Sequence, residues 1–186
     1  MIEVLKNPRD VGALAPTSAN LADVLVAEAG VRDAAHIIEL GAGAGAVTTR
    51  IVRAMRPNAR LLAIERHPRL AAKLTSRFPD VSVREGCASR VGQLAGASGF
   101  PDADCIVSAL PWTNFPDPMQ GALLHASRDV LRPGGVFTTF ACLGPHRSAA
   151  GRRLRGWLEM IFPEVSTTRV VWMNFPPAFV YRCVRR

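Results

Sequence analysis

Short apolar runs alternate with segments of helical spacing along most of this chain, and this alternation limits the folds that it can adopt. The predicted strands cover residues 35–40, 60–64, 81–84, 104–108 and 136–141. The predicted helices cover residues 20–29, 44–55, 68–78, 117–131 and 149–162. Strands that alternate with helices through short links form a parallel sheet with helices on both faces.

Two further predicted strands, residues 165–173 and 178–184, follow the last helix. A short turn that contains proline joins them, so they should pair antiparallel. We therefore expect an α/β fold with a seven-stranded, mostly parallel sheet and an antiparallel C-terminal hairpin. A doubly wound sheet of this kind binds its ligand at the carboxyl ends of its strands.

A glycine-rich segment, ELGAGAG at residues 39–45, follows the first predicted strand and opens a helix. Glycines at such a turn allow positive φ angles and let the backbone approach a ligand closely. Glu65 ends the next strand, where a carboxylate can accept hydrogen bonds from both hydroxyls of a ribose. The segment predicts a nucleoside-containing cofactor, and a tight turn without a ligand is the alternative.

The glycine spacing and one acidic residue distinguish between two classes of cofactor. A dinucleotide site prefers G-x-G-x-x-G with a diphosphate over the helix N-terminus, whereas the third glycine comes one residue early in this chain. Glu39 would repel a diphosphate, but it suits a cofactor that carries an ammonium group and a sulfonium. We therefore expect S-adenosylmethionine as the cofactor and S-adenosylhomocysteine as the product.

The loop after the fourth predicted strand, SALPWTNFP at residues 108–116, begins at the same edge of the sheet. Pro111 fixes its own φ, and backbone carbonyls of such a loop can accept hydrogen bonds from an amine. Trp112 can cover a developing cation with its ring face. The loop predicts an acceptor site for N-methylation, and a rigid loop whose Trp112 and Phe115 fill the core is the alternative.

The glycine-rich segment resembles the first motif of the class I S-adenosylmethionine-dependent methyltransferases. The resemblance implies a Rossmann-like class I methyltransferase fold. It also implies that Gly41, Ala42 and Gly43 line the methionine portion of the cofactor. By the same resemblance, Glu65 binds the ribose and Arg66 flanks the adenine.

The third motif of that family often reads Gly-Asp-Ala, and its Asp binds the adenine amino group, whereas this chain has Gly86-Cys87-Ala88. Cysteine is at most a weak acceptor, so either backbone groups bind the adenine or the cofactor binds more weakly. Thr17 and Ser18 either cap the first helix or, as the resemblance implies, contact the methionine carboxylate. The predicted cofactor-binding residues are Thr17, Ser18, Glu39, Gly41, Ala42, Gly43, Gly45, Glu65, Arg66, Cys87, Ala88 and Ser108.

Longer segments resemble the bacterial phospholipid N-methyltransferases, which convert phosphatidylethanolamine stepwise towards phosphatidylcholine. They are residues 7–22, 108–116, 131–137 and 170–181. The resemblance covers nearly the whole chain and implies an amine-bearing lipid as the acceptor. The predicted catalytic residues are Leu110, Pro111 and Trp112, and the predicted acceptor-binding residues are Trp112, Asn114, Phe115, His146 and Arg147.

A formal net charge of +8 comes mostly from arginine. It reflects either a solvated basic surface or attraction to an anionic partner. Arg147, Arg152, Arg153 and Arg155 either hold a lipid phosphate or form a solvated helix face. Peripheral contact with an anionic membrane is therefore one expectation, and nucleic acid is not an expected partner.

We expect a single methyltransferase domain, in which residues 1–30 cover the cofactor site and residues 31–186 form the catalytic core. The sequence has no apolar run long enough to cross a bilayer and no secretory signal, which favours a cytoplasmic protein. Peripheral contact with the inner membrane face is a separate expectation. The four cysteines lack metal-ligand spacing, so we expect free thiols and no metal site.

Three other functions stay open at this point. They are methylation of a soluble small molecule, methylation of rRNA adenine, and cofactor binding by a regulator without activity. The rRNA adenine dimethyltransferases normally carry an extra helical domain after this fold, which makes that alternative the weakest of the methyltransferase functions.

Overall fold

A computed structural model of the protein describes residues 17–100 and 102–186, and its centre is a seven-stranded sheet. The strands are β1 (His36–Leu40), β2 (Arg60–Glu65), β3 (Ser82–Glu85), β4 (Ala103–Ser108), β5 (Leu131–Cys142), β6 (Glu164–Thr167) and β7 (Ala178–Val184). Their order is β3-β2-β1-β4-β5-β7-β6. The first five strands are parallel, and β7 is antiparallel to both β5 and β6. The order reverses between β1 and β4, which is where sheets of this kind open a ligand crevice.

Six α-helices of the described residues pack on the two faces of the sheet. They are α1 (Ala19–Glu28), α2 (Ala46–Ala54), α3 (Pro68–Arg77), α4 (Val91–Ala97), α5 (Asp117–Val130) and α6 (Ala149–Ile161). Neighbouring residues of β1 belong to different clusters, because side chains of a strand alternate between faces. Ile37 packs in the cluster formed with α1, α2 and α3, whereas Ile38 packs in the cluster formed with α4, α5 and α6. The predicted fold is confirmed.

The carboxyl edge of the sheet carries three short 3-10 helices as well as the glycine-rich loop. They are Ala88–Arg90 after β3, Trp112–Asn114 after β4 and Pro145–Arg147 after β5. These turns follow the ends of strands that are distant in sequence but meet at the carboxyl edge. A binding site can therefore be assembled at this edge.

The predicted end of the helix before β5 and the predicted start of β5 are both wrong. The predicted helix over residues 117–131 ends at Val130, and β5 begins at Leu131 rather than at residue 136. Leu131 pairs with Ala103, and the register then shifts before Val136 pairs with Cys105. The Pro133-Gly134-Gly135 segment therefore lies in an irregularity within the strand, a place where sheets tolerate such residues.

The other corrections concern α4 and β6. The sequence did not predict α4, because two of its seven residues are glycine and helix propensity is weak there. β6 ends at Thr167 rather than at residue 173. Beyond it, only Val171 forms an isolated bridge, to Ala178, while the Asn174 side chain turns towards the start of α1.

Candidate active site

The loop between β1 and α2 lines a cavity of about 440 Å³, which we call the glycine-loop cavity. Segments after β2, β3 and β4 and one face of α5 complete its wall. The lining residues are Gly41, Gly43, Ile64, Glu65, Arg66, His67, Pro68, Leu70, Gly86, Cys87, Ala88, Ala109, Leu110, Pro111, Phe115, Met119 and Leu123. A cavity of this size, mostly apolar with a few polar groups, is typical of small-molecule and cofactor sites.

Main-chain hydrogen bonds fix the Glu65 carboxylate on the wall of this cavity. Its Oε2 accepts a hydrogen bond from the Gly43 N–H at 2.8 Å, and its Oε1 accepts one from the His67 N–H at 2.8 Å. Two carboxylate oxygens offer about four acceptor positions, so capacity remains for further donors. Glu65 can therefore accept a pair of hydroxyl groups without a change of rotamer.

At two glycines of the loop, any larger residue would clash with a neighbouring side chain. Gly41 has a φ of +75°, and a Cβ there would lie 2.8 Å from Leu110 Cδ2. Gly45 has a φ of +87°, and a Cβ there would lie 2.9 Å from the Phe78 ring. Because Gly41 packs directly on Leu110, the glycine-rich loop and the loop after β4 form one continuous wall.

Glu39 lies beneath the glycine-rich loop and does not line the cavity. Its side chain is fully buried, Oε2 accepts a hydrogen bond from the Thr48 hydroxyl at 2.7 Å, and Oε1 has no partner among the described residues. Burial raises the pKa of Glu39 to about 7; the charge of Glu65 adds to this rise and the Thr48 hydrogen bonds oppose it. An unpartnered buried carboxylate oxygen favours positive charge nearby and disfavours an anion.

Cys87 is the one cysteine on the wall of the glycine-loop cavity. Burial by itself raises the pKa of its thiol. The Ser89 hydroxyl, which donates to Sγ at 3.2 Å, and the charges of Arg66 and Arg90 lower the pKa by more, so the net shift is downward. The other cysteines are Cys105, Cys142 and Cys183, which are free and buried.

The loop after β4, which we call the acceptor loop (residues 109–115), holds Trp112 in the core. The ring is 2% exposed, packs edge-on against Phe115 and Phe137, and donates from Nε1 to Ser108 Oγ at 3.2 Å. The Trp112 ring therefore fills the core, and its face is not presented to the glycine-loop cavity. Asn114 is exposed and does not line that cavity either.

Gln120 is a residue that the sequence analysis missed. It is fully buried on α5, and its Nε2 donates to the Trp112 carbonyl at 2.8 Å and to the Ala150 carbonyl at 3.5 Å. It thus ties the acceptor loop to α5 and α6. The sequence does contain a sign of its burial: Gln120 lies on the same helix face as Leu123 and Leu124, which follow at helical spacing.

A second cavity, of about 800 Å³, lies beyond β5 at the same edge of the sheet, and we call it the basic pocket. It is lined by Leu143, His146, Arg147, Arg152, Arg155, Thr167, Thr168, Val170, Phe179 and Tyr181. The His146 ring packs edge-on against Phe179, with 5.4 Å between ring centroids. Arg155 also forms an ion pair of 2.8 Å with Glu159, whereas Arg153 does not line the pocket.

A small cavity of about 20 Å³ lies against the acceptor loop. It shares Leu110 with the glycine-loop cavity, and its lining residues Cys142 and Pro145 are next in sequence to Leu143 and His146 of the basic pocket. The acceptor loop therefore lies between the glycine-loop cavity and the basic pocket. The three cavities follow the order of the strands along the carboxyl edge.

The structure brings together half of the predicted cofactor-binding residues. Those that line the glycine-loop cavity are Gly41, Gly43, Glu65, Arg66, Cys87 and Ala88; those that do not are Thr17, Ser18, Glu39, Ala42, Gly45 and Ser108. Ser18 caps α1, since its hydroxyl oxygen accepts a hydrogen bond from the Leu21 N–H at 3.2 Å. Further wall residues that the sequence did not indicate are His67, Leu70, Met119 and Leu123.

A metal-ligand cluster and a membrane-spanning helix are both absent from residues 17–100 and 102–186. No group of three or more His, Cys, Asp or Glu residues in these ranges could hold a metal ion. None of the helices in these ranges is long and apolar enough to span a bilayer.

Known proteins resemble this chain in sequence. The methyltransferase domain family matches residues 37–135. An ornithine lipid N-methyltransferase from Singulisphaera acidiphila is 30% identical over 181 residues, which cover 96% of this chain and 90% of that protein. A dimethyladenosine transferase from Chaetomium thermophilum is 25% identical over 146 residues, which cover 70% of this chain and 37% of that protein.

The fold is also found in solved structures. An O-methyltransferase from Bacillus cereus, in complex with S-adenosylhomocysteine, has a TM-score of 0.71 at 20% sequence identity, over 95% of this chain and 85% of that chain. The domain match and the lipid methyltransferase relative agree with the sheet order and the position of the glycine-rich loop. The chain therefore belongs to the class I S-adenosylmethionine-dependent methyltransferases.

Proposed function

We propose that this protein methylates the amine of a lipid head group that also carries an anionic group, such as phosphatidylethanolamine. The observation that carries the proposal is the position of the basic pocket, at the edge of the sheet that holds the glycine-loop cavity. Two of its wall residues, Leu143 and His146, are next in sequence to residues that line the small cavity together with the acceptor loop. The similarity to an ornithine lipid N-methyltransferase supports a lipid amine as the acceptor. A soluble amine that carries an acidic group is the second candidate.

The residues of the glycine-loop cavity fit S-adenosylmethionine. Glu65 would accept the ribose hydroxyls, and the backbone at Gly41 and Gly43 would face the methionine portion. Arg66 and Cys87 would flank the adenine. When bound, this cofactor supplies the methyl group on a sulfonium centre.

The acceptor loop orients the amine in this proposal. The carbonyls of Leu110 and Pro111 each accept one local N–H, from Trp112 and Asn114 respectively, at 2.9 Å. A carbonyl oxygen has a second acceptor position, which is available to an amine N–H. Orientation is the main contribution of the protein, because the ammonium form of the acceptor can lose its proton to water before it binds, and the resulting neutral amine is already nucleophilic.

Ser108 and Gln120 act as positioning residues for this loop. The Ser108 hydroxyl oxygen accepts hydrogen bonds from the Trp112 indole at 3.2 Å and from the Leu110 N–H at 3.4 Å. Gln120 donates to the Trp112 carbonyl from the other side. The loop is therefore held by buried polar groups at both its start and its centre.

The basic pocket would hold the anionic group of the acceptor. Arg147 and Arg152 offer planar donor groups that match the oxygens of a phosphate or carboxylate. His146 can add a donor from its ring. The proposed acceptor would therefore extend from the acceptor loop, past the small cavity at Leu110 and Pro145, to the basic pocket.

We also propose that residues 1–30 cover the cofactor site, over a catalytic core of residues 31–186. Thr17 and Ser18, for which the resemblance implies a contact with the methionine carboxylate, stand at the start of α1. Residues 1–16 lie outside the described residues.

Transfer of a labelled methyl group tests the acceptor. The label is supplied in S-adenosylmethionine to separate reactions with phosphatidylethanolamine vesicles, ornithine lipid vesicles, a soluble metabolite extract and rRNA. We expect label in the organic-extractable product of a lipid reaction, and none when Glu65→Ala replaces the wild type. Label only in the metabolite or rRNA reaction would show that the lipid assignment is wrong.

A further inference from the structure

The segment between β6 and β7 exposes three large apolar side chains within four residues. The exposed fractions are 71% for Trp172, 75% for Met173 and 85% for Phe175. Elsewhere in the described part of the chain, only Val52 and Met160 are large, apolar and exposed. Single exposed apolar residues are common, whereas a contiguous group marks an interaction surface. We call residues 168–177 the apolar loop.

The backbone of the apolar loop is held by specific hydrogen bonds. The Val171 N–H donates to the Ala178 carbonyl at 2.7 Å. Asn174, which is 5% exposed, accepts from the Ser18 N–H at 3.0 Å and donates to the Pro176 carbonyl at 2.6 Å. The buried Asn174 thus anchors the loop to the start of α1, and the exposed side chains on either side of it are displayed by a tethered backbone.

The apolar loop lies on the same edge of the sheet as the acceptor loop. β7 is antiparallel to both β5 and β6, so the carboxyl end of β6 points in the same direction as that of β5. Thr168 and Val170 of the apolar loop line the basic pocket. The apolar loop therefore borders the basic pocket.

Positive charge surrounds the apolar loop. Arg169 within the loop is exposed, and so are Arg147 and Arg152 on the pocket wall. Neither residues 168–177 nor the wall of the basic pocket includes an Asp or Glu. Tryptophan and other apolar side chains beside arginines suit the interface of a bilayer whose head groups are anionic.

We propose that the apolar loop inserts Trp172, Met173 and Phe175 into the surface of an anionic bilayer, which turns the acceptor loop towards the lipid head groups. The inference rests on the proposed function for the role of this docking, but the docking can be measured without catalysis. A bilayer fits better than a second copy of the chain. Pairing of two copies through this surface would bring like-charged arginines together.

Vesicle flotation of the full chain tests the docking. The vesicles contain equal amounts of phosphatidylglycerol and phosphatidylcholine, or phosphatidylcholine alone. We expect the wild type to float with the anionic vesicles, and less so as salt increases. The double variant Trp172→Ser, Met173→Ser should have a partition coefficient about tenfold or more lower than that of the wild type. The reason is that two apolar side chains no longer insert into the bilayer.

Met160→Ser is the matched control, because Met160 is 73% exposed but lies near the end of α6 that precedes β6, at the opposite edge. It should float as the wild type does. Calorimetric binding of S-adenosylhomocysteine should be unchanged in the double variant, which shows that the fold and the glycine-loop cavity are intact.

The outcomes separate the docking from the proposed function. Flotation that depends on Trp172 and Met173, without methyl transfer to any lipid, supports the docking and contradicts the proposal that a lipid amine is the methyl acceptor. Equal flotation of the double variant and the wild type overturns the docking through this loop. Absence of flotation by the wild type, together with a dimer that the double variant loses in sedimentation, shows a self-association surface and also overturns it.

Discussion

The glycine-loop cavity and the basic pocket share one edge of the sheet, but they are held together in different ways. In the first, the N–H groups of Gly43 and His67 fix the Glu65 carboxylate. In the second, the charges belong to exposed arginine side chains, and the Arg155 guanidinium also forms an ion pair with Glu159. Rigid main-chain donors keep one geometry, whereas long exposed side chains adapt and are screened by salt.

This difference predicts how each region responds to substitution. Loss of the Glu65 carboxylate should remove binding, because the loop and the carboxylate hold each other. A change in the basic pocket should weaken an interaction by a modest factor and leave the rest of the site unchanged.

Glu65→Ala should have the largest effect. It removes the proposed ribose acceptor and leaves the N–H groups of Gly43 and His67 without their partner. Hydrogen bonds to a charged group contribute about 1.5–3 kcal/mol each, so we expect the Kd for S-adenosylhomocysteine to rise about a thousandfold. Glu85→Ala is the control, since Glu85 pairs in register with Glu65 but is exposed. Unchanged affinity of Glu65→Ala in calorimetry would show that this residue does not bind the ribose.

Glu39 should make the stability of the protein depend on pH. Its pKa in the folded protein is about 7, compared with an ordinary value of 4.5. Between these values the folded state keeps a proton that the unfolded chain has released, so stability falls as pH rises, by about 3 kcal/mol in total. Glu39→Gln should lose this dependence, and Glu85→Gln should keep it. Denaturant unfolding at pH 5 and pH 8 measures the difference; parallel profiles for wild type and Glu39→Gln would contradict the prediction.

Arg152→Ala should raise the KM for an anionic lipid acceptor about tenfold, which is the size expected for one exposed charge-assisted hydrogen bond. The kcat and the affinity for S-adenosylhomocysteine should not change. Arg153→Ala is the matched control, because it removes the same charge from the same helix but does not line the basic pocket. Steady-state kinetics with equal effects of both variants would indicate a general charge effect instead of a pocket.

Cys87→Asp should have the smallest effect. It introduces the carboxylate that related methyltransferases often use for the adenine amino group. We expect it to tighten S-adenosylhomocysteine binding about threefold relative to Cys87→Ala, because a partly exposed hydrogen bond contributes little. Calorimetry measures the Kd for S-adenosylhomocysteine of both variants. Equal Kd values would mean that the side chain at position 87 does not bind the adenine.

Most strands and helices could be predicted from the sequence, because their signals are local. The glycine-rich loop is contiguous and begins where a strand ends, so its position follows from neighbouring residues. By contrast, α4 has weak propensity and forms because Val91 and Ala95 pack on the core. The extent of β5 depends on its register with Ala103, which no local pattern reports.

The candidate site shows the same division. Six predicted cofactor residues lie on one cavity wall, since they follow strand ends that meet at one edge. Trp112 could not be placed from the sequence, because its burial depends on Phe137 from β5. Gln120 was missed because its partner is a main-chain carbonyl of a loop that only the folded chain brings near.

The sequence by itself determined the strand-helix alternation, the glycine-rich turn and the carboxylate at Glu65, because hydrophobic periodicity and backbone freedom act over a few residues. Only the tertiary structure decided that the basic pocket forms, and that Trp112 is buried while Trp172 is exposed. These outcomes depend on packing between segments far apart in the chain. Two tryptophans of equal hydrophobicity thus have opposite environments, and the acceptor side of the enzyme is set by that packing.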